Sequence, residues 1–284
     1  MLLFLKTSYF HLCAFVFLSC MQTYGEWNYT IKPDESRHDK DFEVDAVNQI
    51  IKNYLTVSGH RQIFEENRAL KMSGRNKTAF DKLIGVDICE YEVLFVQPNK
   101  GYLKLSFYNR GATRTFYEIY DGKFVWSLAK MISPPKIEKY GVGDRALIDI
   151  KILPSLLFFD PNVQPEWVIY KGKEAIGDRE LYQIEFGYTN LENIQLFFDS
   201  KTFLLTEIRS RALWMEGIPA VDWKYRILRY RKYDGLYLPV NYQLYAGSSI
   251  MESIEFTDCQ FVDEWDEDIF NTRSLEDKIK HGSI

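Results

Sequence analysis

The sequence predicts an α+β protein in which a helical N-terminal region precedes a large antiparallel sheet. Aromatic residues make up 16% of the 284 residues, and Tyr and Phe favour pleated, half-buried surfaces. From Leu70 onward apolar residues alternate with polar ones, as they do in strands with one buried face. Short turns separate these runs without helical segments between them, which argues against a parallel α/β fold.

Residues 1–25 have the features of a signal peptide. Lys6 is their only charge, and the apolar stretch 9–19 is too short for a comfortable membrane span. Small residues at positions 23 and 25 predict cleavage before Glu26. The alternatives are a bacterial lipoprotein signal that ends in a lipidated Cys20, and an uncleaved anchor. We therefore expect secretion to the periplasm, with lipoprotein anchoring if Cys20 is acylated.

Charge and cysteine content limit the function classes. The formal net charge is −5, and loss of the leader, with one Lys and no acid, makes it −6. This balance argues against a general nucleic-acid binder, which needs a basic surface. After the leader only Cys89 and Cys259 remain. Export permits a disulfide between them, and two separately buried thiols are the alternative.

The first element after the leader is a helix. Residues 26–40 are polar and are expected to form a flexible arm. Asp41 is placed to cap the helix, Gly59 is a natural stop, and 60–68 is a second short helical segment. The apolar residues recur at three- and four-residue steps and define one face: Phe42, Ala46, Val47, Ile50, Ile51, Tyr54 and Leu55.

About nine to eleven strands follow. Typical alternation occurs where Leu103, Leu105 and Phe107 are separated by polar or amphipathic residues. Tight turns are predicted at Asp121-Gly122, Asp199-Ser200-Lys201-Thr202, Asp234-Gly235 and Ala246-Gly247-Ser248. We expect a single domain over residues 41–273 and a C-terminal tail over 274–284.

Segment 141–160 interrupts the strand pattern. It lacks alternation and contains Pro154 within an apolar run. Asp144 could cap a short helix that Pro154 ends or restarts. This is the most apolar stretch after the leader, and it is a candidate lid.

The order of these motifs resembles the outer-membrane lipoprotein-sorting, LolA-like, family. The resemblance covers about residues 42–262, although His60 stands where the family usually has a second Gly. It rests on five stretches: Val57-Ser58-Gly59-His60, Tyr120-Asp121-Gly122-Lys123-Phe124-Val125-Trp126, Gly177-Asp178-Arg179-Glu180-Leu181-Tyr182-Gln183-Ile184, Phe198-Asp199-Ser200-Lys201-Thr202-Phe203-Leu204-Leu205 and Tyr233-Asp234-Gly235-Leu236-Tyr237-Leu238-Pro239.

The resemblance implies a LolA/LppX-like half-barrel, a strongly curved and unclosed antiparallel sheet with helices on its concave side. Such folds hold lipids or the acyl chains of lipoproteins in an apolar cavity, sometimes with membrane or envelope protein partners. The alternative is a sensor or scaffold of the same fold that recognises a protein and carries no lipid. The candidate cavity and lid residues, which could equally complete the core, are Trp126, Leu153, Leu156, Leu157, Phe158 and Phe159.

Signatures of catalysis and of cofactor binding are weak. No nucleophile elbow, Cys-x-x-Cys pair or Gly-rich phosphate loop follows a predicted strand. We therefore expect no enzyme, no cofactor and no metal centre. Carboxylates at positions 263, 264 and 266–268 could hold Ca²⁺, although solvated acids at the start of a terminal helix are commoner.

Bases and aromatics interleave in the run 224–232. This run could be a patch for anionic lipid head groups or an acidic partner. On a strand, however, Lys224, Arg226, Tyr230 and Lys232 would share an outer face, so a solvated surface with cross-strand partners such as Asp222 or Glu207 is the simpler interpretation.

Overall fold

The structure is a computed structural model that describes most of the predicted sheet and the helix before it. The described residues are 30–31, 40–59, 69–78, 88–96, 100–109, 112–121, 125–129, 136–140, 165–188, 191–212 and 221–271. The predicted signal peptide with Cys20, the short helical segment 60–68, the lid 141–160 and the tail 274–284 lie outside the described residues.

The described chain contains one α-helix, fourteen strands and one 3₁₀-helix. The α-helix α1 is Lys40–Ser58, and the 3₁₀-helix is Glu267–Phe270. The strands are β1 Thr30–Ile31, β2 Ala69–Thr78, β3 Ile88–Val96, β4 Lys100–Asn109, β5 Ala112–Tyr120, β6 Val125–Ala129, β7 Lys136–Tyr140, β8 Trp167–Ile176, β9 Arg179–Tyr188, β10 Leu191–Asp199, β11 Leu205–Ala212, β12 Val221–Tyr233, β13 Leu236–Ala246 and β14 Ser249–Val262.

The strands form one large, unclosed sheet. Its order is β1-β8-β9-β10-β11-β12-β13-β14-β2-β3-β4-β5-β6-β7, with β1 and β7 at the two ends in the part of the chain that the structure describes. Neighbours pair antiparallel from β2 through β7 and from β8 through β13, whereas β1 runs parallel to β8. Eleven of the strands have eight or more residues, which agrees with the predicted number, and β1, β6 and β7 are shorter.

The described residues divide into two compact units. The helix unit contains α1, β1 and β8–β13, within Met21–Glu66 and Val163–Ser253. The strand unit contains β2–β7 and the 3₁₀-helix, within Asn67–Asn162 and Ile254–Ile284. Strand β14 begins in the first of these and ends in the second.

Helix α1 forms where the periodicity predicts it. Val47, Ile50 and Tyr54 are at most 3% exposed, which confirms the predicted apolar face. The helix begins at Lys40, so Asp41 lies inside its first turn instead of capping it. It ends at Gly59, whose positive φ of 71° is a conformation that glycine adopts without strain. A Cβ at Gly59 would lie 2.9 Å from the carbonyl oxygen of Gly235.

The strand unit has an apolar face across β2–β5. Met72, Val93 and Leu103 are opposite one another on neighbouring strands and are fully buried. Gly74 lies against the backbone of β14, where a Cβ would collide with Glu255 and Phe256. The Phe256 ring packs edge-on against Tyr91, the residue opposite Gly74, at 5.5 Å between ring centroids.

All four predicted turns connect consecutive antiparallel strands. Asp121-Gly122 lies between β5 and β6, and Asp199–Thr202 lies between β10 and β11. Asp234-Gly235 and Gly247-Ser248 are tight turns after β12 and β13. Leu103, Leu105 and Phe107 are all buried as predicted, but Ser106 between them is only 7% exposed, so burial does not alternate strictly along β4.

Two segments differ from the sequence interpretation. Thr30–Ile31, within the predicted arm, pairs with Trp167–Val168 as a two-residue strand. Alternation with Ile254 and Phe256 predicts an inward position for Ile250, but this residue is 46% exposed because it lies at the very start of β14 beside the Gly247-Ser248 turn.

The acidic residues after β14 have structural roles. The Asp266 carboxylate accepts a hydrogen bond from the Asp268 backbone N–H and so caps the 3₁₀-helix. Glu267 bonds the Lys100 ammonium at 2.7 Å and the Trp265 indole at 2.8 Å, and these bonds lower the pKa of Glu267. In the described part of the chain, no three His, Cys, Asp or Glu side chains cluster as metal ligands would.

No helix among the described residues combines the length and the hydropathy that crossing a membrane requires.

Candidate functional site

Helix α1 covers a row of apolar side chains in the helix unit. This inner row runs across six adjacent strands in direct register, and all its members are buried: Tyr170, Ile184, Leu196, Ile208, Tyr225 and Leu244. Tyr54 of α1 packs edge-on against Phe198, two residues along β10 from the row, at 5.4 Å between centroids. The helix therefore lies on the face of the sheet that the row occupies.

The turn after β10 is held by the carboxylate of Asp199. Its Oδ1 accepts hydrogen bonds from the backbone N–H of Lys201 at 3.0 Å and of Thr202 at 2.9 Å, and from the Thr202 hydroxyl at 3.1 Å. Partial burial acts to raise the pKa of Asp199, but these hydrogen bonds outweigh it and the pKa is lowered. The turn is thus fixed most firmly when Asp199 is ionised.

Phe203 leaves this turn in a strained conformation. Its φ is +58°, in the left-handed region that bulky residues rarely adopt. Hydrogen bonds from Phe203 N to Asp199 O, at 2.8 Å, and from Asp199 N to Leu204 O, at 2.9 Å, close the turn around it. The strain aims the ring at Tyr182, on which it stacks at 5.7 Å between centroids. Strained residues of this kind are concentrated at functional sites.

A cleft of about 700 Å³ separates the middle of α1 from these rings. Tyr170, Tyr182 and Phe203 line it from the strands, and Ala46 and Ile50 line it from the helix. The volume lies within the range of small-molecule sites, which are mostly apolar with a few polar groups.

Polar side chains line the same cleft. Asp45, Asn48, Gln49 and Lys52 come from α1, and Lys173 comes from β8. The Lys173 ammonium lies 5.2 Å from the centre of the Tyr182 ring and 2.6 Å from the Glu180 carboxylate. The cleft therefore combines an apolar wall with charged groups, as an amphiphile would require.

Polar groups are also buried within the inner row. Tyr225 lies near both Tyr242 and the carboxylate of Glu252, which is 4% exposed. Burial first, and then the charge of Glu252, raises the pKa of Tyr225 well above its usual value. The Tyr225 hydroxyl has no hydrogen-bond partner among the described residues. The otherwise apolar face thus contains buried polar groups on β12, β13 and β14.

The structure places one of the six predicted cavity and lid residues. The Trp126 indole donates a hydrogen bond of 2.8 Å to Asp121 across the β5–β6 hairpin, in the strand unit and not at the cleft. Leu153, Leu156, Leu157, Phe158 and Phe159 lie outside the described residues. Cys89 and Cys259 are both buried thiols, so the disulfide considered from the sequence is not formed in this structure.

The role of Phe203 is not evident from the sequence, because the Asp199–Thr202 turn signal does not show which residue takes the left-handed conformation. The lining of the cleft by α1 likewise depends on which strands the helix covers. The one sequence signal for this site is that an apolar residue, Phe203, directly follows the polar four-residue turn Asp199–Thr202.

The chain has the fold of LolA-superfamily structures. A LolA superfamily protein from Nitrosomonas europaea matches with a TM-score of 0.51 at 12% identity, over 78% of this chain and 96% of its own. A domain from Vibrio parahaemolyticus assigned to outer-membrane lipoprotein sorting matches with a TM-score of 0.53 at 9% identity, over 80% and 99%. A DUF1329 family protein from Desulfovibrio piger matches with a TM-score of 0.53 at 10% identity, over 81% and 98%. No protein-family profile and no curated protein sequence matches the chain.

Proposed function

We propose that this protein binds or carries a hydrophobic ligand, a lipid or the acylated end of a lipoprotein, in the cleft beside α1. The observation that carries the proposal is the strained Phe203, whose ring stacks on Tyr182 at the wall of that cleft. The fold shared with the lipoprotein-sorting domain from Vibrio parahaemolyticus supports the same use, as does a leader that predicts export to the periplasm.

Such a function needs burial and no catalytic group. Each methylene removed from water contributes about 0.8 kcal/mol, so a long acyl chain is held by a fitted apolar surface alone. Accordingly, we propose a carrier and not an enzyme. The ligand would be released when the segments that cover the cleft move, or when a receiver buries the acyl chain more completely.

Filling the cleft is the direct test. Ala46 is half-buried and lines the cleft, so Ala46→Trp should occupy the ligand's space while leaving the apolar side of α1 in place. We expect the affinity for a fluorescent fatty acid, measured by titration, to fall about tenfold, since each 1.4 kcal/mol of lost burial is one factor of ten. Thr56→Trp, at an exposed position of the same helix, is the matched control and should leave the affinity unchanged.

Native mass spectrometry of protein purified from its own cell envelope provides an independent measurement. Co-purified lipid that Ala46→Trp excludes would support the carrier. An apo mass, together with equal probe affinity for the two Trp variants, would contradict it and favour a domain that recognises a protein partner.

A further inference from the structure

A second groove in the helix unit is lined mainly by polar side chains that alternate with the inner row, together with Ser210, Trp223 and Gly247. It has a volume of about 780 Å³. A row of four side chains on adjacent strands, in direct register, lines it: Glu185, Gln195, Arg209 and Lys224. Asn193 and Asp222 line it as well. Because neighbouring residues on a strand face opposite ways, this row and the inner row lie on opposite sides of the sheet.

Arg209 is fixed in place within this groove. Its Nε lies 2.6 Å from a carboxylate oxygen of Glu207, a side chain that is 4% exposed, and its Nη2 lies 3.3 Å from Glu174. The guanidinium carbon lies 4.1 Å from the centre of the Phe197 ring, which is fully buried. A guanidinium held on three sides loses little further entropy when it binds a ligand.

Lys224 is the cation of this groove that forms no direct ion pair with a described carboxylate. It is directly opposite Arg209, and like charges in that position repel. The two carboxylates of Glu174 and Glu207 balance Arg209 and Arg226, which lies 3.3 Å from Glu207. Among the described residues Lys224 has no carboxylate within 4 Å, and its ammonium lies 4.6 Å from the centre of the Tyr245 ring. An anion between Lys224 and Arg209 would remove the repulsion.

The other end of the groove presents hydrogen-bond acceptors. The Asn193 amide donates to Glu185 Oε1 at 2.7 Å, and the Gln195 amide approaches Glu185 Oε2 at 3.4 Å. With both amide nitrogens directed at Glu185, the two amide oxygens and the remaining carboxylate lone pairs can accept from hydroxyl groups. Asp222 adds an exposed carboxylate on the same side of the sheet.

We propose that this groove binds a sugar unit that bears an anionic group, with the anion between Lys224 and Arg209 and the hydroxyls on Glu185, Asn193 and Gln195. The charged and hydroxyl-bearing parts of such a ligand match the two ends of the groove. This site and the hydrophobic cleft are independent, so an experiment can contradict one proposal without contradicting the other.

Isothermal titration with glucose 6-phosphate and with glucuronic acid tests the site and shows which anion it takes. Lys224→Gln should weaken binding of the preferred probe about tenfold, the effect expected for one charge-assisted hydrogen bond. Lys232→Gln is the matched control, because Lys232 lies on the same strand over the ring of its own cross-strand neighbour, Tyr237, at 5.7 Å and outside the groove.

Three outcomes would overturn the proposal. The first is that neither probe binds. The second is that the Lys224→Gln and Lys232→Gln variants bind the preferred probe equally well. The third is that glucose or inorganic phosphate alone binds as tightly as the anionic sugar. The last result would mean that one end of the groove contributes nothing.

Discussion

Two turns of the helix unit carry the two non-glycine residues that have a positive φ in the described part of the chain, and they differ in what that conformation costs. Asp234 has a φ of +46° in a two-residue Asp-Gly turn, where a short polar side chain tolerates the left-handed region. Phe203 has a φ of +58° after a four-residue turn, and its bulky side chain does not tolerate that region easily. The first turn is explained by local chemistry, whereas the second needs a reason from its surroundings.

The surroundings of the two turns supply that reason. The Asp234-Gly235 turn lies against the end of α1, where the Gly235 carbonyl faces Gly59. The turn before Phe203 places a ring in the wall of the cleft beside the middle of the helix. One turn therefore fixes the helix, and the other shapes the space next to it.

The largest effect is expected at the junction of α1 with the Asp234-Gly235 turn. Gly59→Ala would put a methyl group 2.9 Å from the Gly235 oxygen at a φ of +71°. Because strain and a close backbone contact add, we expect a loss of about 2 kcal/mol in the free energy of unfolding, measured by urea denaturation. Gly177→Ala, at a φ of +64° with no atom within 4 Å of the new Cβ, isolates the strain. Equal losses in the two variants would show that the contact with Gly235 is unimportant.

A smaller effect should follow from Asp199→Asn. Since the folded-state pKa of Asp199 is lowered, its ionised form stabilises the fold above the unfolded value of about 4, and that stability is lost as pH falls through the folded value. We expect the variant to be less stable by about 1 kcal/mol at neutral pH, with the difference from the wild type vanishing in acid. Thermal unfolding over a pH series measures this. A constant difference at every pH would exclude the carboxylate charge as the cause.

The last test separates strain from packing at Phe203. Phe203→Ala removes the ring and keeps the strained φ, whereas Phe203→Gly removes both, so the Gly variant should be more stable than the Ala variant by about 1 kcal/mol. Both should bind a fluorescent fatty acid more weakly than the wild type does. Asp234→Gly should change stability by less than about 0.5 kcal/mol and leave binding intact. Unchanged binding in both Phe203 variants would remove the ring from the site.

The sequence predicted the parts of the fold that depend on local signals. Helix periodicity placed Val47, Ile50 and Tyr54 correctly, and Asp-Gly and polar four-residue turns placed the hairpins. The proposed Glu207 partner of the basic strand is also confirmed, because Glu207 and Arg226 are opposite each other and 3.3 Å apart.

The features that the sequence did not predict depend on non-local geometry. The register shifts at the end of β10, where Phe197 is opposite Glu207 and Phe198 is opposite Leu205. Strict alternation cannot anticipate this shift. It does place Phe197 on the polar side of the sheet, but it does not show that the ring is fully buried there under Arg209. The candidate site was missed for the same reason, since the cleft depends on where α1 crosses the strands and on the backbone of one residue.

The helix unit is built from two separate segments of the chain, Met21–Glu66 and Val163–Ser253, and this has a consequence for biosynthesis. Residues 67–162, which separate its two segments, belong to the strand unit, so α1 leaves the ribosome well before β8–β13 exist. At ordinary synthesis rates the interval is roughly 5 to 20 s. During that time the side chains of Val47, Ile50 and Tyr54 lack the strands that later bury them. A nascent chain with this layout gains from a chaperone that keeps the helix covered until the second segment has emerged.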